Sequence, residues 1–257
     1  MSRISAAFNG CRKAFIAFIT AGDPDLQTTE ELVFEMERCG ADIIELGIPF
    51  SDPIAEGSVI QEANLRALSN EVTANKIFDM IKRIRQKSQI PLVFLTYLNP
   101  IFKYGYDAFF SKCKETGVDG IIIPDLPFEE QMEVREFSAK YSIDLIPLVA
   151  PTSEDRIKKI AACAEGYLYV VSSLGVTGIR SEIKTDLESI INAAKETAKV
   201  PIAVGFGINT PEQANRISKV ADGIIVGSAI VKIIAEHGRD SARHVGEYVK
   251  KMKRAMQ

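Results

Sequence analysis

Short apolar runs bounded by Gly, Pro, Asp or Asn recur along the whole chain. Each is followed by a longer stretch whose apolar residues return every three or four positions, an alternation that predicts a β-α repeat. The strand candidates are FIAFIT (15–20), ADIIELGI (41–48), PLVFLTY (91–97), GIIIPDL (120–126), DLIPLVA (144–150), GYLYVVS (166–172), PIAVGFG (201–207) and GIIVGSAI (223–230). They are nearly continuous hydrophobic runs, as parallel strands covered on both faces are. Helices are predicted between them, among others over 28–40, 74–87, 106–117, 129–141, 153–166 and 181–199, several opening with Thr or Ser followed by Glu. A weak internal repeat, GADIIE (40–45), GVDGII (117–122) and ADGIIV (221–226), marks places where a helix ends and a strand begins. No linker, low-complexity tract or shift of composition interrupts the pattern. Residues 1–257 are therefore expected to form a single (β/α)8 TIM barrel, an α/β fold, rather than a doubly wound sheet.

Composition narrows the function classes. Hydrophobic residues at 46% and charged residues at 25% suffice for a sizeable core and exclude a disordered or collagen-like chain. With 31 basic against 34 acidic side chains the net charge is −3, so no broad basic field exists for nucleic acid. Cys11, Cys39, Cys113 and Cys163 form no C-x-x-C pair, and the only histidines, His237 and His244, lie together near the C-terminus. This is neither a disulfide framework nor a zinc site, and the thiols are expected to behave as mostly buried apolar groups in a reducing compartment. No apolar run approaches the ~18 residues needed to cross a bilayer, and the first twenty residues lack the features of a signal peptide. The expectation is a soluble, cytoplasmic protein with no membrane partner.

In a barrel of this kind the active site lies at the C-terminal ends of the strands. None of the eight strand candidates contains Lys, Arg or His, which removes a barrel Schiff-base lysine and an imidazole base and leaves carboxylate chemistry. Glu45 stands among Ile43, Ile44, Leu46 and Ile48, where an ionised carboxylate is costly unless paired or raised in pKa. Its alternative role is a structural ion pair, for which no strand supplies a cation. The following segment PFSDPIAEGSVIQ (49–61) reads as an unusually long loop carrying Asp52 and Glu56, and Asp125 ends the fourth strand as a third acid or a turn former. GFGINTPEQ (205–213) and VGSAIVK (226–232) offer Gly and Ser where such barrels frequently hold a phosphate on backbone N–H groups. SSLGVTGIRSE (172–182) reads as a closing lid or a flexible connection.

The segments FITAGDP (18–24), ELGIPFSDP (45–53), IQEANLRAL (60–68), GVTG (175–178), GFGI (205–208) and GSAIVK (227–232) closely resemble the tryptophan synthase α subunit family, in the family's order. The resemblance implies a (β/α)8 barrel that cleaves indole-3-glycerol phosphate to indole and glyceraldehyde 3-phosphate, a retro-aldol lyase reaction of tryptophan biosynthesis. By the same resemblance Glu45 matches the acid/base glutamate and Glu56 the second catalytic carboxylate. Gly178, Gly207, Gly227 and Ser228 match phosphate contacts, while Phe18, Ile60, Leu95, Ile122, Tyr169 and Phe206 match the walls of the indole pocket. Asp52 and Thr177 match residues that pair when the lid closes. Glu45, raised in pKa by its apolar strand, is expected to shuttle the proton at indole C3. Glu56 is expected to stay ionised and to hold the positive charge developing at the indole N–H.

The resemblance also implies a pyridoxal-phosphate-dependent β subunit as partner in an α2β2 heterotetramer, with no cofactor in this chain. The exposed residues around Pro53 and the stretch 99–106, with Phe102, Tyr104 and Tyr106, are the expected contact surface. The chain departs from the family in carrying Glu56 where Asp is usual and Ser58 where Pro is usual, and Ser173 where some relatives carry Arg. Loss of the proline is expected to loosen the loop by about 0.4–1 kcal/mol in unfolded-state terms. Two other readings stay open. One is a different phosphate-binding barrel, although an indole-glycerol-phosphate-forming enzyme would need a strand-end lysine. The other is a catalytically weak subunit that mainly activates a partner.

Overall fold

A computed structural model of the chain describes residues 2–9, 13–171, 187–205 and 207–257. All strand pairings are parallel. The segments are β1 (Ala14–Thr20), β2 (Ile43–Gly47), β3 (Leu92–Leu95), β4 (Gly120–Ile122), β5 (Asp144–Leu145), β6 (Leu148–Val149), β7 (Leu168–Val171), β8 (Ile202–Gly205) and β9 (Gly223–Val226). They run in the order β5-β4-β3-β2-β1-β9-β8-β7-β6.

The two ends of that order, β5 and β6, are halves of one strand. Pro147 has no N–H to give the ladder, so regular pairing lapses between them. Ile146 still donates to Ile121 O (2.9 Å), and Pro147 O accepts from Tyr169 N (3.1 Å). One stretch of chain thus bonds β4 on one side and β7 on the other. The sheet closes into a barrel of eight staves, as the sequence pattern predicts.

Period-two alternation sends Ile16, Ile43, Val93, Ile122, Ile146, Tyr167, Tyr169, Val171, Ala203 and Ile225 into one interior cluster, and the alternate residues into the layer beneath the helices. Ile4, from the short helix Arg3–Ala7, joins the interior cluster and is fully buried. Its Cδ1 would stand 3.0 Å from a Cβ at Gly120.

Several boundaries differ from the sequence reading. The last strand stops at Val226, not 230, because Gly227 opens the helix Ser228–His237, whose apolar residues SAIV continue the composition of the strand. Residues 49–61 are not all loop, since a helix spans Ser58–Ser69. The first predicted helix begins earlier, at Leu26, capped by Asp25 accepting from Thr28 N (2.7 Å). The helix expected from 129 begins at Met132, behind a 3-10 turn over Phe128–Glu130. Of the stretch 181–199, the helix Leu187–Lys195 lies within the described residues. Of the three described cysteines only Cys113 is buried; Cys39 is half-buried, Cys163 is exposed, and Cys11 lies outside the described residues. Among the described residues no helix is long and apolar enough to cross a membrane.

Candidate active site

Glu45 is the third residue of β2 and shares the inward face with Ile43, so its carboxyl enters the barrel and is 1% exposed. Phe18 of β1 is its register partner on one side and Val93 of β3 on the other. The Tyr167 hydroxyl donates to Glu45 Oε1 at 2.5 Å, while Oε2 has no hydrogen-bond partner among the described residues. Burial raises the carboxyl pKa to about 7 against the opposing pull of the Tyr167 bond. Burial and the neighbouring Glu45 charge drive the Tyr167 hydroxyl well above its ordinary range, so it stays a donor. The carboxyl is held by one oxygen, free at the other, and able to gain or lose a proton near neutrality.

Glu56 approaches from the segment between β2 and the helix Ser58–Ser69 and is 7% exposed. Asn64, in that helix, donates to its Oε2 at 2.7 Å, and the Tyr97 hydroxyl also bonds the carboxylate. Gln61 fixes the backbone by donating to Glu56 O (2.8 Å), and the Ala55 N–H donates to the Tyr97 hydroxyl (3.0 Å). Burial outweighs Asn64 and Tyr97 and raises this carboxyl to about 7 as well. The expected contrast between a raised Glu45 and an ordinary Glu56 is therefore smaller than the sequence suggests. The difference lies in partners: Glu56 has two side-chain donors and Glu45 one. Ser58 occupies the first position of the helix after the Gly57 cap, a place where Pro and Ser are both compatible with the backbone.

The pocket walls expected from sequence come together where they are described. Phe18, Ile60 and Leu95 share one cluster with Ala63 and Val231, and Leu95 also packs against the interior cluster that holds Ile122 and Tyr169. Two glycines make room for the Phe18 ring: a Cβ at Gly47 would stand 2.7 Å from its Cζ, and one at Gly227 would stand 3.2 Å from its Cδ1. Gly227 precedes the helix Ser228–His237, whose N-terminus has no side-chain cap, so its first backbone donors remain available near Ser228. The helix Pro211–Ser218 differs, with Thr210 and Gln213 forming a capping box that consumes its donors. Gly207 stands just ahead of that box at φ +79°, a conformation other residues rarely adopt. Thr177, Gly178 and Phe206 lie outside the described residues.

Two other acids have local partners of their own, and the expected pairing of Asp52 with Thr177 falls on a residue outside the described ones. Asp125 accepts from the Leu98 N–H through both oxygens (2.9 and 3.2 Å) and caps the helix Leu98–Tyr104 from a distance. Asp52 is exposed, and its Oδ2 accepts from the Ser51 hydroxyl (2.5 Å). The sequence reading missed Tyr167, Asn64 and Tyr97. Asn64 lies inside the IQEANLRAL motif, in the helix that follows Glu56 directly, and that proximity in sequence is the available signal. Tyr167 carries no local signal, since its partner is 122 positions away.

A family model described as tryptophan synthase alpha chain matches residues 4–257. The tryptophan synthase alpha chain of Lacticaseibacillus casei is 47% identical over 256 residues, covering 100% of this chain and 96% of that one. Its counterpart from Caldanaerobacter subterraneus subsp. tengcongensis is 51% identical over 240 residues, with 92% of each covered. Among solved structures, tryptophan synthase subunit alpha from Legionella pneumophila superposes with TM-score 0.90 at 36% identity, covering 100% of this chain and 98% of that one. A chain described with the tryptophan synthase a2b2 complex of Pyrococcus furiosus gives TM-score 0.87 at 38% identity, covering 94% and 98%.

Proposed function

The chain belongs to the tryptophan synthase alpha chain family, lyase subunits that cleave indole-3-glycerol phosphate to indole and glyceraldehyde 3-phosphate, and on that premise we propose that Glu45 carries the proton at indole C3. Indole departs readily only once C3 is protonated and the adjacent glycerol hydroxyl has given up its proton. A carboxyl near pKa 7 can exchange protons in both directions at neutral pH. Tyr167 keeps Oε1 occupied, so the free Oε2 is the oxygen that exchanges the proton with substrate. Glu56, whose ionised form Asn64 and Tyr97 favour against the effect of burial, accepts from the indole N–H as positive charge develops there. Phe18, Ile60, Leu95, Ile122 and Tyr169 form the apolar walls. The uncapped start of the helix Ser228–His237, with Gly207 and Gly227 beside it, takes the phosphate, and anchoring there supplies binding energy away from the breaking bond. Thr177, Gly178 and Phe206 complete the pocket by resemblance to the family.

The observation that carries this reading is the buried Glu45 carboxyl with one oxygen held and the other unpartnered. Single-turnover cleavage by Glu45→Gln tests it, with a loss of at least 100-fold expected; an unchanged rate overturns the assignment. Soaking with a glycerol-phosphate-bearing indole analogue tests the anchor, and phosphorus is expected beside Gly227 and Ser228.

The partner is a pyridoxal-phosphate-dependent β subunit in an α2β2 assembly in the cytoplasm, and this chain binds no cofactor of its own. Support for the contact face comes from Ile54, Phe102 and Met132, which are 73%, 66% and 72% exposed and follow β2, β3 and β4, three adjacent staves. Tyr104 is a weaker candidate than its sequence context suggests, since it packs on Phe78 and Phe109 and its hydroxyl donates to Asn75 Oδ1 (2.6 Å). Cleavage measured with and without a β subunit separates a coupled enzyme from a purely activating subunit.

A further inference from the structure

We propose that the N-terminal end of the barrel carries a second anion site, for a short polyphosphate chain, in the cavity between the start of β1, the turn before β2 and the helix Ser241–Ala255. The cavity measures about 610 Å³ and is lined by Lys13, Arg38, Asp42, Lys250, Lys253 and Arg254 among others. Its volume falls in the range of small-molecule sites, roughly 300–1,000 Å³. Lys13 precedes β1 and Asp42 precedes β2, so the cavity opens at the end of the barrel opposite the Glu56 mouth.

The charges there are unbalanced. Among the described residues Asp42 is the only carboxylate side chain in the lining, and its Oδ2 already accepts from Lys253 Nζ (2.5 Å) and the Phe15 N–H (2.6 Å). Lys253 Nζ also donates to Lys13 O (2.7 Å), which fixes it in the wall. Arg38 is held by Glu35 (2.5 and 2.9 Å). Lys13, Lys250 and Arg254 form no ion pair among the described residues, so the lining sets five cations against Asp42 and the Gln257 α-carboxylate in a chain whose net charge is −3.

Lys250 and Arg254 stand four apart on one helix, where like charges repel. A cation in the last helical turn is favourable beside the helix C-terminus, but that explanation does not reach Lys13, which belongs to another element. A multiply charged anion relieves the repulsion, and the Arg254 guanidinium offers the paired donors that fit phosphate oxygens. Among the described residues no aromatic ring lines the cavity to stack on a base, and the site reads phosphate alone.

Titration calorimetry of the full chain with inorganic tripolyphosphate at physiological salt tests the proposal, with saturating glycerol 3-phosphate present to occupy the catalytic anion site. One-to-one binding is expected. The double variant Lys250→Glu with Arg254→Glu should weaken it at least tenfold while folding and indole-3-glycerol phosphate cleavage stay intact. A control of equal charge change elsewhere, Lys114→Glu with Lys219→Glu, should leave affinity within twofold. Absence of binding, equal affinity in the double variant, equal weakening in the control, or displacement by glycerol 3-phosphate would each overturn it.

Discussion

Tyr167 and Glu45 meet across the full width of the barrel: three staves lie between β2 and the strand that follows Tyr167 in either direction, and the hydroxyl bridges the two at 2.5 Å. The bond favours the ionised carboxylate, so removing it raises the Glu45 pKa further. With Tyr167→Phe, whichever limb of the pH profile Glu45 governs should move upward by about one unit. A single-turnover profile between pH 5 and 9 reads the shift, and superimposable profiles would remove Tyr167 from the mechanism.

The same burial links catalysis to stability. The folded protein keeps the Glu45 proton to about pH 7, whereas the ordinary value is 4.5, so ionisation across that window favours unfolding and stability falls as pH rises. Glu45→Gln cannot ionise and lacks this contribution. Its stability relative to the parent chain should improve by about 3 kcal/mol between pH 4 and pH 8, read from urea unfolding at the two values. A constant difference at both would mean that the carboxyl titrates normally.

Gly47 is required by the Phe18 ring. Alanine there puts a methyl 2.7 Å from Phe18 Cζ, displacing the ring from the pocket wall and costing about 1–3 kcal/mol. Adding Phe18→Leu should return much of that stability without restoring KM, a combination that distinguishes a steric clash from a strained backbone.

Asp23 is 1% exposed and accepts from Arg66 Nε and Nη2, each at 2.8 Å. Arg66→Ala strands that buried charge and should cost about 2 kcal/mol, less than a fully buried pair because Arg66 is one-third exposed. Asp23→Asn added to it should recover part of the loss in the urea midpoint.

A negative charge at Ser228 opposes a phosphate bound at the uncapped helix start. Ser228→Asp should raise KM for indole-3-glycerol phosphate at least tenfold with kcat within a few-fold. An equal fall in kcat at unchanged KM would place the phosphate elsewhere.

Much of this architecture is legible in the chain because parallel strands buried on both faces write themselves as apolar runs. Where the run passes into a helix equally rich in apolar residues, as Val226 passes through Gly227 into Ser228–Ile230, composition alone cannot mark the boundary. Glu45 stands out because a carboxylate in such a run is anomalous. Its partner Tyr167 does not, since an inward tyrosine is ordinary and only closure of the barrel brings the two together. Glu56 reads as a loop acid, and its burial by Asn64 and Tyr97 is created by the helix packed over it.

That helix, the 12 residues Ser58–Ser69, turns Ile60 toward the Phe18 ring, Asn64 toward the Glu56 carboxylate and Arg66 toward Asp23. A rigid rod bearing three such attachments cannot trim one without dragging the others. A tilt that loosened the grip on the acid would at once reshape the aromatic slot and tug the turn behind β1, so selectivity and proton chemistry are geared to a single moving part.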